Sequence, residues 1–167
     1  MNIYNTFKKF IRNPLGGNKY GRKIDLIIIH CTATSQKATV DSILNYFKNT
    51  LHWNSPGYHY IISPDGIINK THPLDRVSNG AKGHNAHSVN IAYIGGKTKD
   101  NRTPAQKKAM KWLVTTLRSS SELGQVKVVG HRDLSPDLNN DGVITPNEWM
   151  KRCPSFDVTK WMKDEGI

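Results

Sequence analysis

The apolar positions of the chain fall into short runs and stripes with two distinct periods. "KIDLIIIH" (23–30) is an Ile-rich run ending in polar residues, the pattern of a central strand buried on both faces. "TVDSILNYFKNTL" (39–51) switches to helical spacing, with Val40, Ile43, Leu44, Phe47 and Leu51 on one stripe and Thr39 as N-cap. "GYHYIISPDGIIN" (57–69) reads as a hairpin turning at Pro64-Asp65-Gly66, and "SVNIAYIGG" (88–96) as a strand closed by a double glycine. "TPAQKKAMKWLVTTLRSSSELG" (103–124) predicts a helix capped by Thr103, with Pro104 at its first position, Gln106 completing a capping box and Gly124 ending it. Its buried stripe is Met110, Leu113, Val114 and Leu117. "QVKVVGH" (125–131) predicts a last strand and "SFDVTKWMKDEG" (155–166) a final helix capped by Ser155.

Strands interleaved with helices imply an α/β fold, a mixed central β-sheet flanked by helices in a single domain. Residues 1–22 read as a separate appendage. Ile3, Phe7, Phe10 and Ile11 share one face, with Lys8, Lys9 and Arg12 elsewhere, so a short basic amphipathic helix is expected, stopped by Pro14. The expected division is an extension at 1–22 and a domain at 23–167.

Composition narrows the partners. Lys plus Arg number 24 against 13 Asp plus Glu, a formal net charge of +11. Such a charge favours polyanions: nucleic acid, an anionic membrane, or a bacterial wall. No apolar run is long enough to span a membrane, so stable membrane insertion is not expected. The first residues lack the apolar core of a secretory signal peptide, which implies synthesis in the cytoplasm. Two cysteines, Cys31 and Cys153, do not make a disulfide scaffold.

Candidate chemistry begins with two histidines at predicted strand ends, His30 in "LIIIH" and His131 in "VKVVGH". Strand termini along one edge of a sheet bring side chains together. If His30 points into such a site, alternation turns Cys31 to the opposite face, as a core residue. His30, His131 and Cys153 would then be three ligands with a fourth position open, the arrangement of a catalytic zinc. Seven histidines offer many triples, however, and spacing alone does not single this one out.

A resemblance does. "IIIHCTAT", "GYHYIISPDGII", "AKGHNAHSVNIAYIGG", "TPAQ" and "MKRCPSFD" stand in the order found in the zinc-dependent N-acetylmuramoyl-L-alanine amidases, and they most resemble the T7 lysozyme branch, itself similar to the peptidoglycan recognition proteins. The likeness extends from about Ile24 to about Trp161. It implies zinc ligands at His30, His131 and Cys153, an active-site tyrosine at Tyr58 and a catalytic lysine at Lys151. It also places His84 and Asn85 along a substrate groove, where the competing reading is a turn held by its own side chains. Tyr58 and Lys151 have plainer readings too, as a strand aromatic and a surface cation. His59 is either a support for the site or a core histidine.

One stretch departs from that family. Twenty-two positions separate His131 from Cys153, where the compact pattern has only a few. The excess, an insertion at 134–150, carries "DLNNDGVITPNE", which fits an EF-hand loop: Asp137, Asn139 and Asp141 at positions 1, 3 and 5, Gly142 at 6, the Val143 carbonyl at 7 and Glu148 at 12. Pro136 forbids a regular entering helix, so the expectation is a single calcium loop bracing the segment that delivers Lys151 and Cys153. The competing reading is an Asn/Asp/Gly-rich turn that needs no ion.

The function expected is therefore that of a monomeric peptidoglycan amidase that cleaves the bond between N-acetylmuramic acid and the L-alanine of the stem peptide. It would use zinc, with calcium for order, and act at the bacterial wall after phage lysis or dedicated export. The alternatives are a non-catalytic muropeptide-binding module and a metal-dependent nuclease. The first would be preferred were a ligand position missing. The second lacks a carboxylate-rich catalytic cluster outside the calcium-like loop, so nucleic acid is not an expected partner.

Overall fold

The computed structural model describes residues 20–120, 123 and 126–167. The amphipathic helix expected near the N-terminus lies outside them. The described chain runs β1 (Leu26–Cys31), α1 (Val40–Asn45), β2 (Tyr60–Ile62), β3 (Ile68–Lys70), β4 (Ser88–Tyr93), α2 (Pro104–Arg118), β5 (Lys127–Gly130) and α3 (Val158–Glu165). The strands form one mixed sheet in the order β3-β2-β4-β1-β5, in which only β2 and β3 pair antiparallel. This is the sheet the alternating pattern predicts. No helix among the described residues is long and apolar enough to cross a membrane.

Local chemistry explains most of the elements. Thr39 accepts from the Ser42 N–H and Thr103 from the Gln106 N–H, each in a reciprocal capping box. The Gln106 amide goes further, donating to the carbonyls of Ile62 (3.1 Å) and Ile94 (2.9 Å), so the cap of α2 also ties down the ends of β2 and β4. The hairpin turns where expected, with the Gly66 N–H on the Ser63 carbonyl at 2.8 Å. Three expectations need revision. α2 ends at Arg118, well short of Gly124, with the Ser119 N–H on the Thr115 carbonyl at 2.9 Å. The helix after Thr39 widens at Tyr46–Thr50 into a π-turn, in which the Leu51 N–H reaches the Tyr46 carbonyl five residues back. The final helix is capped by Asp157, not Ser155: Asp157 accepts from the Lys160 N–H, while Ser155 has a φ of 72° and lies in the turn before it.

β1 is buried along its whole length, as its continuous apolar run requires. Ile27, Ile29 and Cys31 face α2 and α3, packing with Met110, Leu113, Val114, Leu117, Val158 and Trp161. Leu26 and Ile28 face the other side with Val129 and Ala81, and α1 with the π-turn after it covers that side further along through Ile43 and Phe47 against Ile61. The alternation leaves His30 on the face opposite Cys31.

Candidate metal centre and active site

The register of the parallel strands builds the site. Ile29 pairs with Gly130 across β1 and β5, so His30 and His131 are the next residues of adjacent strands at the same phase of the pleat. Their Nδ1 atoms lie 3.1 Å apart. Cys153 reaches them from the segment before α3, with Sγ 3.7 Å from His30 Nδ1. Three contacts fix that segment: the Arg132 N–H on the Cys153 carbonyl (2.8 Å), the Cys31 N–H on Cys153 Sγ (3.2 Å), and the Tyr93 hydroxyl on the Pro154 carbonyl (2.8 Å). Gly130 permits the approach, since a Cβ there would stand 2.8 Å from Pro154 Cδ.

The donor set fits zinc. His30, His131 and Cys153 place one ligand atom each within 4.8 Å of one another, and among the described residues they are the one such group of three. A tetrahedral zinc would hold its ligands about 3.4 Å apart for two nitrogens and about 3.6 Å for nitrogen and sulfur. The observed 3.1 and 3.7 Å lie close to those spacings. Three ligands leave a fourth position for water or substrate.

Asn90, which the sequence reading did not single out, decides which nitrogen of His30 faces the site. Its Oδ1 accepts from His30 Nε2 at 2.7 Å, which leaves the Nδ1 lone pair for the metal. The amide is itself held, donating from Nδ2 to the hydroxyls of Ser78 (2.9 Å) and Ser88 (3.2 Å), while its backbone N–H donates to His59 Nδ1 (3.0 Å). His59 is fully buried and its Nε2 meets the Arg76 carbonyl at 3.0 Å, so it supports the support of His30. The one signal for Asn90 in the sequence is an amide in the middle of an apolar strand, "SVNIAY", where burial without a partner would be costly.

Burial pushes both histidines below their ordinary range, His30 to about 3 and His131 to about 4, helped by the mutual proximity of the imidazoles at His30 and by the charge of Lys151 at both. Neutral imidazole is the form that binds metal. Hydrogen bonding with the Cys31 thiol, and then burial, push Cys153 up. A cation in the site reverses that, because a coordinating thiol is deprotonated. Cys31 is buried in the core as expected, with its Sγ 3.6 Å from the Gly96 carbonyl.

Tyr58 stands beside this cluster, its ring centroid 5.1 Å from that of His30 and its hydroxyl 3.4 Å from the Cys31 carbonyl. Burial raises its phenol well above the usual range, so it remains a proton donor. Lys151 is exposed two residues before Cys153. His84 is near enough for its charge to act on His131, whereas Asn85 turns its Oδ1 onto the Ala81 N–H (2.7 Å) within its own turn.

The insertion holds itself together through the residues of the calcium-like motif. Asp137 accepts from the N–H groups of Gly142 (2.7 Å) and Asp141 (3.3 Å), Asn139 from Asp141 (3.0 Å), and Asp141 from Val143 (2.8 Å). The buried Glu148 closes the loop with Oε1 on the Leu138 N–H and Oε2 on Thr145. Its carboxylate is held below the ordinary range by the Thr145 bonds.

Comparison with known proteins agrees with the geometry. The chain is 31% identical over 156 residues to the endolysin of Escherichia phage T7, covering 89% of this chain and 92% of that one. It is 26% identical over 123 residues to peptidoglycan-recognition protein SC1a of Drosophila melanogaster, covering 69% and 66%. Its fold matches the endolysin amidase LysCS from Clostridium intestinale URNW with a TM-score of 0.70 at 21% identity, over 89% and 87% of the two chains. The Amidase_2 family model, described as N-acetylmuramoyl-L-alanine amidase, matches residues 20–155, and the chain belongs to that family.

Proposed function

We propose that this chain is a zinc-dependent peptidoglycan amidase that hydrolyses the amide between N-acetylmuramic acid and the L-alanine of the stem peptide. The observation that carries the reading is the convergence of His30, His131 and Cys153 at the ends of β1 and β5 with one position open. Zinc held there would supply a Lewis acid for the scissile carbonyl and make a bound water acidic enough to attack at neutral pH.

The protein's own groups do the rest. Asn90 keeps His30 in the tautomer that offers Nδ1. Tyr58, kept protonated by burial, donates to the carbonyl oxygen or orients the water. Lys151 brings an ammonium to the oxygen that becomes negative, a contribution of about 3 kcal/mol when pre-positioned. His84 and Asn85 border the groove that receives the stem peptide. In the insertion, Asp137, Asn139, Asp141, the Val143 carbonyl and Glu148 supply the oxygens for a calcium ion of structural role, testable as a rise in Tm with added calcium that Asp137→Ala abolishes. Synthesis in the cytoplasm and action at the wall as a monomer complete the reading, with phage lysis favoured by the similarity to endolysins.

Release of dye-labelled fragments from purified peptidoglycan tests the metal requirement. Activity should vanish on chelation, return with zinc, and be absent from His30→Ala under both conditions. Undiminished release after exhaustive chelation overturns the zinc mechanism, and binding without release by the zinc-loaded protein leaves a recognition module.

A further inference from the structure

The insertion between the second histidine and the cysteine packs against the flank of the metal centre at Arg132. Trp149, its penultimate residue, lies under the Arg132 guanidinium, with the guanidinium carbon 4.1 Å from the ring centroid. Arg132 follows His131 directly, and its N–H holds the Cys153 carbonyl at 2.8 Å. One residue is therefore bonded to the neighbourhood of two metal ligands and stacked on the insertion.

The guanidinium has little else to hold it. Its ion pairs with Asp133 (3.6 Å) and Asp157 (3.7 Å) are long, its Nε is buried without a hydrogen-bond partner, and Asp133 instead spends its Oδ2 on the Gly130 N–H at 2.7 Å. The indole Nε1 of Trp149 is likewise buried and unpartnered, so the ring is placed by packing and not by a hydrogen bond. Trp149 sits between two ties of the loop. Glu148 bonds back to Leu138 on one side of it, and the Met150 N–H bonds to Ser135 Oγ (3.1 Å) on the other. Ser135 in turn donates its N–H to the Arg132 carbonyl at 3.1 Å.

We propose that Trp149 and Arg132 are positioning residues that couple the fold of the 134–150 insertion to the metal centre. A closed loop seats the indole, the indole seats the guanidinium, and Arg132 then presents its backbone N–H to Cys153 while fixing the turn that carries His131. The insertion acts as a splint for the two ligands on either side of it, and loosening it lowers metal affinity before it unfolds the domain. This rests on the reading of His30, His131 and Cys153 as a zinc site.

The test is a zinc titration against a chromophoric chelator, with cobalt substituted for zinc to report the cysteine ligand through its thiolate charge-transfer band. Support of a ligand from outside the coordination shell is worth about 10–100-fold in metal affinity, and Trp149→Ala and Arg132→Met should each weaken zinc by that order. Both should shift or diminish the cobalt band, Trp149→Phe should restore most of the affinity, and KM for peptidoglycan at saturating zinc should stay at the wild-type value. Leu117→Ala, a cavity in the core beneath α2, controls for stability: it should lower Tm and leave zinc affinity unchanged. Wild-type affinity and an unaltered cobalt band in both Trp149→Ala and Arg132→Met overturn the inference alone. Wild-type protein that takes up neither metal overturns the zinc site and the inference together.

Discussion

Acidifying the metal-free protein from pH 7 to pH 5 is expected to remove much of its folding stability through three histidines held neutral by burial. Burial lowers His30 to about 3 and His59 and His131 to about 4, from 6.5 in the open chain. As pH falls through 6.5 the unfolded chain takes up a proton at each site, and the folded protein refuses it until pH 4 or below. The unfolded state then binds more protons, so stability falls with pH and the contribution is lost progressively between about 6.5 and the folded values. At pH 5 all three groups are still neutral in the fold, so the loss depends on the open-chain value and hardly on the exact folded one. It amounts to about 2 kcal/mol per histidine and up to about 6 kcal/mol for the three, more than a thousandfold in the folding equilibrium. Urea denaturation in the presence of chelator, at pH 7, 6 and 5, measures it. His59→Gln should reduce the pH dependence by about a third, since it leaves the shares of His30 and His131. A stability change below about 1 kcal/mol across this range would refute the claim that these imidazoles are buried and neutral.

Other consequences are as direct. Tyr58→Phe and Lys151→Met should each lower kcat by about a hundredfold while zinc affinity, read by chelator competition, stays unchanged. Gly80→Ala would put a Cβ 2.4 Å from the Asn90 amide and 2.8 Å from the Gly57 carbonyl. It should cost about 1–3 kcal/mol in thermal unfolding and weaken zinc binding through His30. Arg102 is buried, pairs with Asp100 at 2.9 Å and lies 3.2 Å from the centroid of the Phe156 ring. Arg102→Leu should therefore destabilise by about 3 kcal/mol, visible as a lowered Tm, by leaving Asp100 without its partner.

Much of this was legible in the sequence because periodicity and capping are local. "LIIIH" and "VKVVGH" carried both the strands and the two candidate histidines at their ends, and the parallel register then brought His30 beside His131. The capping boxes at Thr39 and Thr103 were readable for the same reason. What escaped depends on contacts distant in the chain. Asn90 matters because strand pairing sets it against His30, sixty residues away; His59, legible as a support for the site or a core histidine, meets Asn90 because β2 lies next to β4. Arg132 was an unremarked neighbour of His131 until the insertion folded Trp149 against it. The cap of the last helix was misplaced by two residues because Ser155 and Asp157 both have capping chemistry, and the left-handed turn at Ser155 gave the role to Asp157. The motif at 137–148 was evident as a pattern, but its oxygens are turned onto the loop's own N–H groups, which a spacing rule does not reveal.

The most direct measurement is to digest purified peptidoglycan with the zinc-loaded protein and identify the new chain ends by mass spectrometry. The account predicts stem peptides released with a free L-alanine amine, glycan strands left uncut, and neither product from His30→Ala. Cleaved glycan, or peptides cut at any bond other than the one to N-acetylmuramic acid, would contradict it.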